Sequence, residues 1–237
     1  MLERYFPPEP AVVADVGGGP GTYAVPIAAR GNAVHLLDPV PGHLRQALEA
    51  AEGHTGAQLA GAVLGDAREL PWADGQMDAV VLFGPLYHLV TEEGRLQALR
   101  EARRVLSPGG RLFAMAMSRF VYLRDAIQKR SLVNPRVRLL VKNGVESGQH
   151  RNPDCDPQLF TTAYLHRPEE FAVELATAGF EVEQLISVEG PAGRMADLDW
   201  WLEVPERREA LLDGIREVEM EPSLLGASPQ ILAVARS

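Results

Sequence analysis

The sequence predicts an α/β fold, a mostly parallel sheet with helices on both faces and an antiparallel last strand, on three observations. Short apolar runs at Val12–Val16, Ala33–Asp38, Ala60–Leu64, Val80–Phe83, Arg111–Met117, Val182–Val188 and Gln230–Arg236 supply seven candidate strands. Between most of them lie stretches with helical periodicity, the alternation from which a parallel sheet is wound. The first run passes directly into a glycine cluster, Gly17-Gly18-Gly19-Pro20-Gly21, and then into the helix-compatible run Tyr23–Arg30. Strand, tight turn and helix in that order open a nucleotide-binding unit.

Size and charge narrow the field. With 237 residues, 46% of them hydrophobic, the chain is read as a single domain over 1–237 carrying insertions at 118–166 and 190–204. A net charge of −9 argues against a partner read through its phosphate backbone, so no nucleic acid is expected. The lone Cys155 can form neither an intramolecular disulfide nor a multi-cysteine zinc site, which suits a reducing compartment. No apolar run reaches membrane-spanning length and no signal pattern opens the chain, so a cytoplasmic protein without a membrane partner is expected.

The glycine turn then poses the question of its ligand. A diphosphate-binding turn wants free N–H groups and a Gly-x-Gly-x-x-Gly/Ala spacing, but here the third place is Thr22 and Pro20 removes a donor. Asp15 beneath the turn would repel a diphosphate and suits a ligand carrying an ammonium and a sulfonium. Asp15, Gly17, Gly19 and Gly21, spaced acid-x-Gly-x-Gly-x-Gly, resemble the first motif of class I S-adenosylmethionine (SAM)-dependent methyltransferases.

The later units extend this resemblance. Asp38 ends the second strand, where an acid accepts hydrogen bonds from ribose hydroxyls of either a dinucleotide or SAM. The run Gly65-Asp66-Ala67-Arg68-Glu69-Leu70-Pro71-Trp72-Ala73-Asp74 is similar to the family's Gly-Asp-Ala-x-x-Leu-Pro-Phe-x-Asp segment. The resemblance implies that Asp66 receives the adenine amino group and that the Ala67 amide meets a ring nitrogen. It implies a Rossmann-like seven-stranded sheet and cofactor contacts from Asp15, Gly17, Gly18, Gly19, Gly21, Asp38, Pro39, Asp66, Ala67, Phe83 and Gly84. Thr91 reads as an N-cap for a helix from Glu92 to Leu106, with Leu96, Leu99, Ala102 and Val105 or Leu106 as its apolar stripe. Ser107-Pro-Gly-Gly110 is read as the stop that follows it.

From Ser118 to His166 the alternation lapses into two arginine-rich helical pieces and the loop 148–157, expected to act as a substrate lid. Pro168–Ala178 and Pro205–Glu219 are read as helices. Residues 2–8 read as the tail of a helix stopped by prolines. The resemblance implies a longer covering helix upstream, so either the chain begins late or another segment covers the cofactor.

Methyl transfer needs alignment of acceptor and methyl, with removal of a proton where the acceptor is a hydroxyl or ammonium. Candidate bases are His88 and Tyr87, leaving the C-terminal end of the fourth strand, and Tyr164 and His166, two residues apart in an extended stretch. Arg119, Arg124, Arg130, Arg136 and Arg138 read as solvated helix faces before contacts for an anionic substrate. His150, Asp154, Cys155 and Asp156 lack the paired spacing of a metal site, so no metal is expected. The leading reading is a SAM-dependent methyltransferase acting on a small-molecule substrate and releasing S-adenosyl-L-homocysteine. A nicotinamide-dependent oxidoreductase and a non-catalytic SAM-binding regulator stand as the alternatives.

Overall fold

The computed structural model describes residues 4–154, 156, 159–193, 195 and 197–237. The readings placed on Cys155, Pro157 and residues 1–3 therefore fall outside the described residues. Parallel strands β1 (Val12–Val16), β2 (Ala33–Asp38), β3 (Leu59–Leu64), β4 (Met77–Leu82) and β5 (Leu106–Met117) are interleaved with helices, α1 (Ala24–Ala29) after β1, α2 (Pro41–Glu52) after β2, and α3 (Pro85–His88) and α4 (Glu92–Val105) after β4, while β3 leads to β4 through a loop. The chain continues through α5 (Val121–Gln128), α6 (Pro135–Ser147), the two-residue strands β6 (Gln149–His150) and β7 (Ala163–Tyr164), α7 (Pro168–Thr177) and β8 (Glu181–Ser187). It closes with α8 (Leu198–Leu202), α9 (Pro205–Val218), α10 (Pro222–Leu225) and β9 (Gln230–Arg236).

The seven-stranded sheet runs in the order β3-β2-β1-β4-β5-β9-β8. β1 pairs in parallel with both β2 and β4, so the winding reverses beside it. Ligands of such sheets sit at that reversal, outside the carboxyl ends of the strands. β9 is the antiparallel member: Ser118 N–H donates to Pro229 O at one end while Ser237 N–H donates to Gly110 O at the other.

Residues group into two compact units, one taking the chain up to Met115 with Val173–Glu183 and Ala233–Ser237, the other Ala116–Ala172 and Gln184–Leu232. In the first, Val13, Ala14, Val16, Leu36, Leu37, Val80, Val81, Leu82 and Phe113 are wholly buried, as strands covered on both faces should be. The buried stripe of α4 is Arg95, Ala98, Leu99, Ala102 and Val105, with Leu96 only half-buried. Thr91 caps it, its hydroxyl oxygen accepting from Gly94 N at 3.2 Å. Arg95, 2% exposed, forks onto both oxygens of Glu174 on α7 at 2.6–3.1 Å and donates to Leu89 O.

Ser107–Gly110, read from the sequence as the stop after the helix, does follow α4 but lies within a strand. Leu106 pairs with Met77 and Arg111 with Ala79, so the stretch is an irregularity inside β5, and Gly109 turns through φ +76°.

In the second unit the ends of the 118–166 segment are tied together. Ser118 bridges His166, Arg119 N–H donates to His166 O at 2.7 Å, and His166 N–H donates to Met117 O at 2.8 Å. Arg119, 3% exposed, donates to Leu165 O and pairs with Glu170. Within the expected loop, Gln149 and His150 form an antiparallel pair with Tyr164 and Ala163. His150 stacks on Tyr122 at 4.0 Å and shares its Nε2 with Phe160 O.

Candidate functional site

The glycine turn after β1 uses its own amides. Gly17 and Gly18 N–H both donate to Leu37 O, at 2.7 and 3.3 Å, and Gly19 N–H donates to Asp38 Oδ2 at 2.9 Å. Pro20 has no N–H. The row of free donors that a diphosphate needs is therefore not presented here. Glycine is required by geometry: Gly17, Gly19 and Gly21 have φ of +70°, +55° and +85°. A Cβ on Gly17 would lie 2.6 Å from Pro85 Cγ, which brings this turn against the one after β4.

A Cβ on Gly18 would lie 2.6 Å from Asp15 Oδ2. That oxygen is buried and has no hydrogen-bond partner. Burial pushes the Asp15 carboxyl up to about 7, the Ala24 amide opposing and the nearby Asp38 charge adding to the rise. Asp38, also buried, is held by donors on both oxygens: Gly19 N–H on Oδ2, Val40 N–H and His43 Nδ1 on Oδ1, each at 2.9 Å. Oδ2 keeps acceptor capacity beyond its one donor. Pro39, next in sequence, is exposed.

At the adenine end foreseen from the sequence, Asp66 is half-exposed and engaged by Arg68, with Nε on Oδ1 at 2.9 Å and Nη2 on Oδ2 at 2.6 Å. That guanidinium holds the Asp66 carboxyl below the usual carboxylate range. Ala67 is buried. The following loop is clamped by α4: Arg104 donates to Leu70 O, Trp72 O and Asp74 Oδ1, while Glu101 accepts from Leu70 N–H at 2.8 Å.

At the carboxyl end of β4, Phe83 is met edge-on by Tyr23 at 4.7 Å. Gly84 is needed for closeness, since a Cβ there would stand 3.2 Å from Gly17 O. Tyr87 and His88 follow on α3 with ring centres 4.6 Å apart. Partial burial pushes the Tyr87 hydroxyl up, helped by Tyr23, and pushes the His88 imidazole down against the pull of Asp38. The structure thus assembles Asp15, Gly17, Gly18, Gly19, Asp38, Phe83, Gly84, Tyr87 and His88 around two touching turns of the first unit.

Tyr164 and His166 belong to the second unit. His166 is wholly buried, edge-on to Tyr164 at 4.7 Å and tilted against Phe171 at 5.3 Å. Four contributors escaped the sequence reading: His43 on Asp38, Arg68 on Asp66, Tyr23 on Phe83, and the Arg104 clamp. Among the described residues no group of three His, Cys, Asp or Glu side chains converges as a metal site would require. Among them, too, no helix is long and apolar enough to cross a membrane.

Residues 13–110 match a family model described as a methyltransferase domain. A malonyl-[acyl-carrier protein] O-methyltransferase of Geobacter sulfurreducens is 39% identical over 111 residues, 46% of this chain and 39% of that protein. A ubiquinone/menaquinone biosynthesis C-methyltransferase of Ruegeria sp. is 30% identical over 131 residues, 54% of this chain and 50% of its own length. The chain thus spans half or less of these relatives. A crystal structure of a SAM-dependent methyltransferase from Methanosarcina mazei superposes with a TM-score of 0.66 at 19% identity, over 100% of this chain and 96% of that one.

Proposed function

Because residues 13–110 match a methyltransferase-domain model, we propose that the protein is a class I SAM-dependent methyltransferase that transfers a methyl group from SAM to a small-molecule acceptor. The observation that carries the reading is the buried, unpartnered Oδ2 of Asp15 under a turn whose glycine amides are consumed internally. Such a turn rejects a diphosphate and favours a cationic ligand, and SAM carries an ammonium and a sulfonium. The residues present fit that group. When bound, it supplies a methyl on a good leaving group.

The chain's own residues then have separate tasks. Asp38, fixed by three donors, keeps one face of Oδ2 for ribose hydroxyls. Asp66 accepts the adenine amine once Arg68 gives way, and the Ala67 amide meets a ring nitrogen. Phe83, Tyr23 and Tyr87 line the turn after β4 with aromatic surface, which attracts a cation and excludes water. His88, its pKa lowered, is neutral at pH 7 and can take a proton from an acceptor hydroxyl or ammonium. The relatives named above, by name a malonyl-[acyl-carrier protein] O-methyltransferase and a ubiquinone/menaquinone biosynthesis C-methyltransferase, lend support to a small organic group as the acceptor, free or carried on a protein.

The test is a methyl-donor assay against a metabolite library, followed by His88→Ala on whichever acceptor turns over. General-base help is worth roughly 10²–10⁴-fold, so turnover should fall by that factor while SAM affinity stays within a few-fold. Parental turnover of the variant would remove His88 as the base. Absence of turnover with any acceptor, with SAM still bound, would favour a non-catalytic SAM-binding regulator.

A further inference from the structure

The second unit carries a surface to which the methyl transfer proposed above assigns no role. Residues 119–151 hold eight Lys and Arg against two Asp and Glu, in a chain whose net charge is −9. The two innermost of these cations serve the unit itself: Arg119 pairs with Glu170, and Arg124 donates to Gly193 O. The others, Lys129, Arg130, Arg136, Arg138, Lys142 and Arg151, are exposed.

Apolar side chains stand among them. α5 and α6 form a helical hairpin through the 3-10 turn Ser131–Val133, with Arg130 in the left-handed region at φ 54° making the corner. Ile127 is 58% exposed at the end of α5, Val133 84% exposed in the turn, and Leu139 57% exposed on α6. α6 buries Val141 and Gly144. Leu139 lies three residues from both Arg136 and Lys142, on the exposed face. Counter-charges offset only part of this: Asp125 pairs with Lys129 at 2.9 Å, Asp154 and Asp156 approach Arg136 at 3.7 and 3.4 Å, and Glu146 approaches Lys142 at 3.9 Å.

Solvated helix faces explain the cations but not aliphatic side chains held out between them. A nucleic-acid surface would expose aromatic rings for stacking, whereas neither of the stretch's aromatic rings is exposed and Tyr122 stacks on His150. Cations interleaved with exposed aliphatic groups match the boundary between anionic headgroups and acyl chains.

We infer that the α5–α6 hairpin docks on an anionic bilayer surface, with Lys129, Arg130, Arg136 and Arg138 on headgroup phosphates and Ile127, Val133 and Leu139 in the acyl boundary. Such a contact needs no spanning helix. It departs from the expectation, drawn from the lack of a spanning apolar run and of a signal pattern, that the protein meets no membrane.

The test is sedimentation of the full chain with vesicles of phosphatidylcholine alone or with about 30% phosphatidylserine, a composition that sets a negative surface potential. Binding to the anionic vesicles that weakens with salt, and little binding to the neutral ones, is expected. Arg130→Glu with Arg138→Glu should lower the partition coefficient by more than about tenfold, as loss of basic contacts requires. Val133→Asp should lower it on the order of tenfold, as loss of a buried aliphatic group requires. Val173→Asp, at a residue 64% exposed in the other unit, should leave it unchanged. Far-ultraviolet circular dichroism would confirm that each variant is folded. Failure to bind anionic vesicles, or parental binding by both hairpin variants, would overturn the proposal. So would displacement by single-stranded RNA at matched charge with Val133→Asp remaining parental, because the surface would then be purely electrostatic.

Discussion

Asp15 is a carboxyl group buried without a partner on Oδ2 and close to a second buried acid, Asp38. Its pKa of about 7 against a model-peptide value of 3.8 means that the folded chain holds this proton more tightly than the unfolded one. The stabilisation is therefore complete below pH 4 and is lost as pH rises through 7, at on the order of 1.4 kcal/mol per unit. Asp15→Asn removes the titration while keeping the shape. In urea unfolding, the variant should gain on the parent as pH rises from 5 to 8, and a gap that does not change with pH would contradict the assignment. The acid and the glycines were legible because the turn's steric demands limit which residues can stand there. His43, Arg68 and Tyr23 were not, since each acts through a side-chain direction set only when separate turns fold together.

At the scale of elements, the pair Arg95 and Glu174 joins α4 to α7 in a setting that excludes water, with side-chain exposures of 2% and 9%. Breaking such a pair strands a buried charge and costs about 3–5 kcal/mol, whereas replacing both partners by apolar groups of similar volume is often neutral or better. Glu174→Ala should therefore lower the urea midpoint sharply, and Arg95→Met with Glu174→Leu should recover most of the loss. Equal losses in both variants would mean that the pair does more than satisfy itself. The helix α4 could be read from Thr91 and its periodic apolar residues, but nothing local marks Arg95 as buried, because its partner lies 79 residues away. Ser107–Gly110 misled in the opposite sense. Proline and glycines that usually end an element here sit inside β5, where pairing with β4 resumes after the irregularity.

For the whole molecule, the order β3-β2-β1-β4 places the two contacting turns at the point where the winding reverses. The seven strands and this succession were visible in the alternation of apolar runs, while the division into two compact units was read only as insertions at 118–166 and 190–204 of a single domain. A ligand at the reversal touches loops from several strands, so its binding energy is added to the stability of the fold. At a hundredfold excess over its dissociation constant, SAM should raise the free energy of unfolding by about 2.7 kcal/mol. A dinucleotide such as NAD needs the amides of Gly17, Gly18 and Gly19 for its diphosphate, and these already serve Leu37 O and Asp38. NAD would have to break those bonds and set its charge beside Asp15 and Asp38, so at the same concentration it should leave the unfolding transition where it was. Denaturant titrations with SAM, S-adenosyl-L-homocysteine and NAD in parallel make the comparison. A shift with NAD that equals the shift with SAM would show that the glycine turn can reopen for a diphosphate, and would return the oxidoreductase reading to contention.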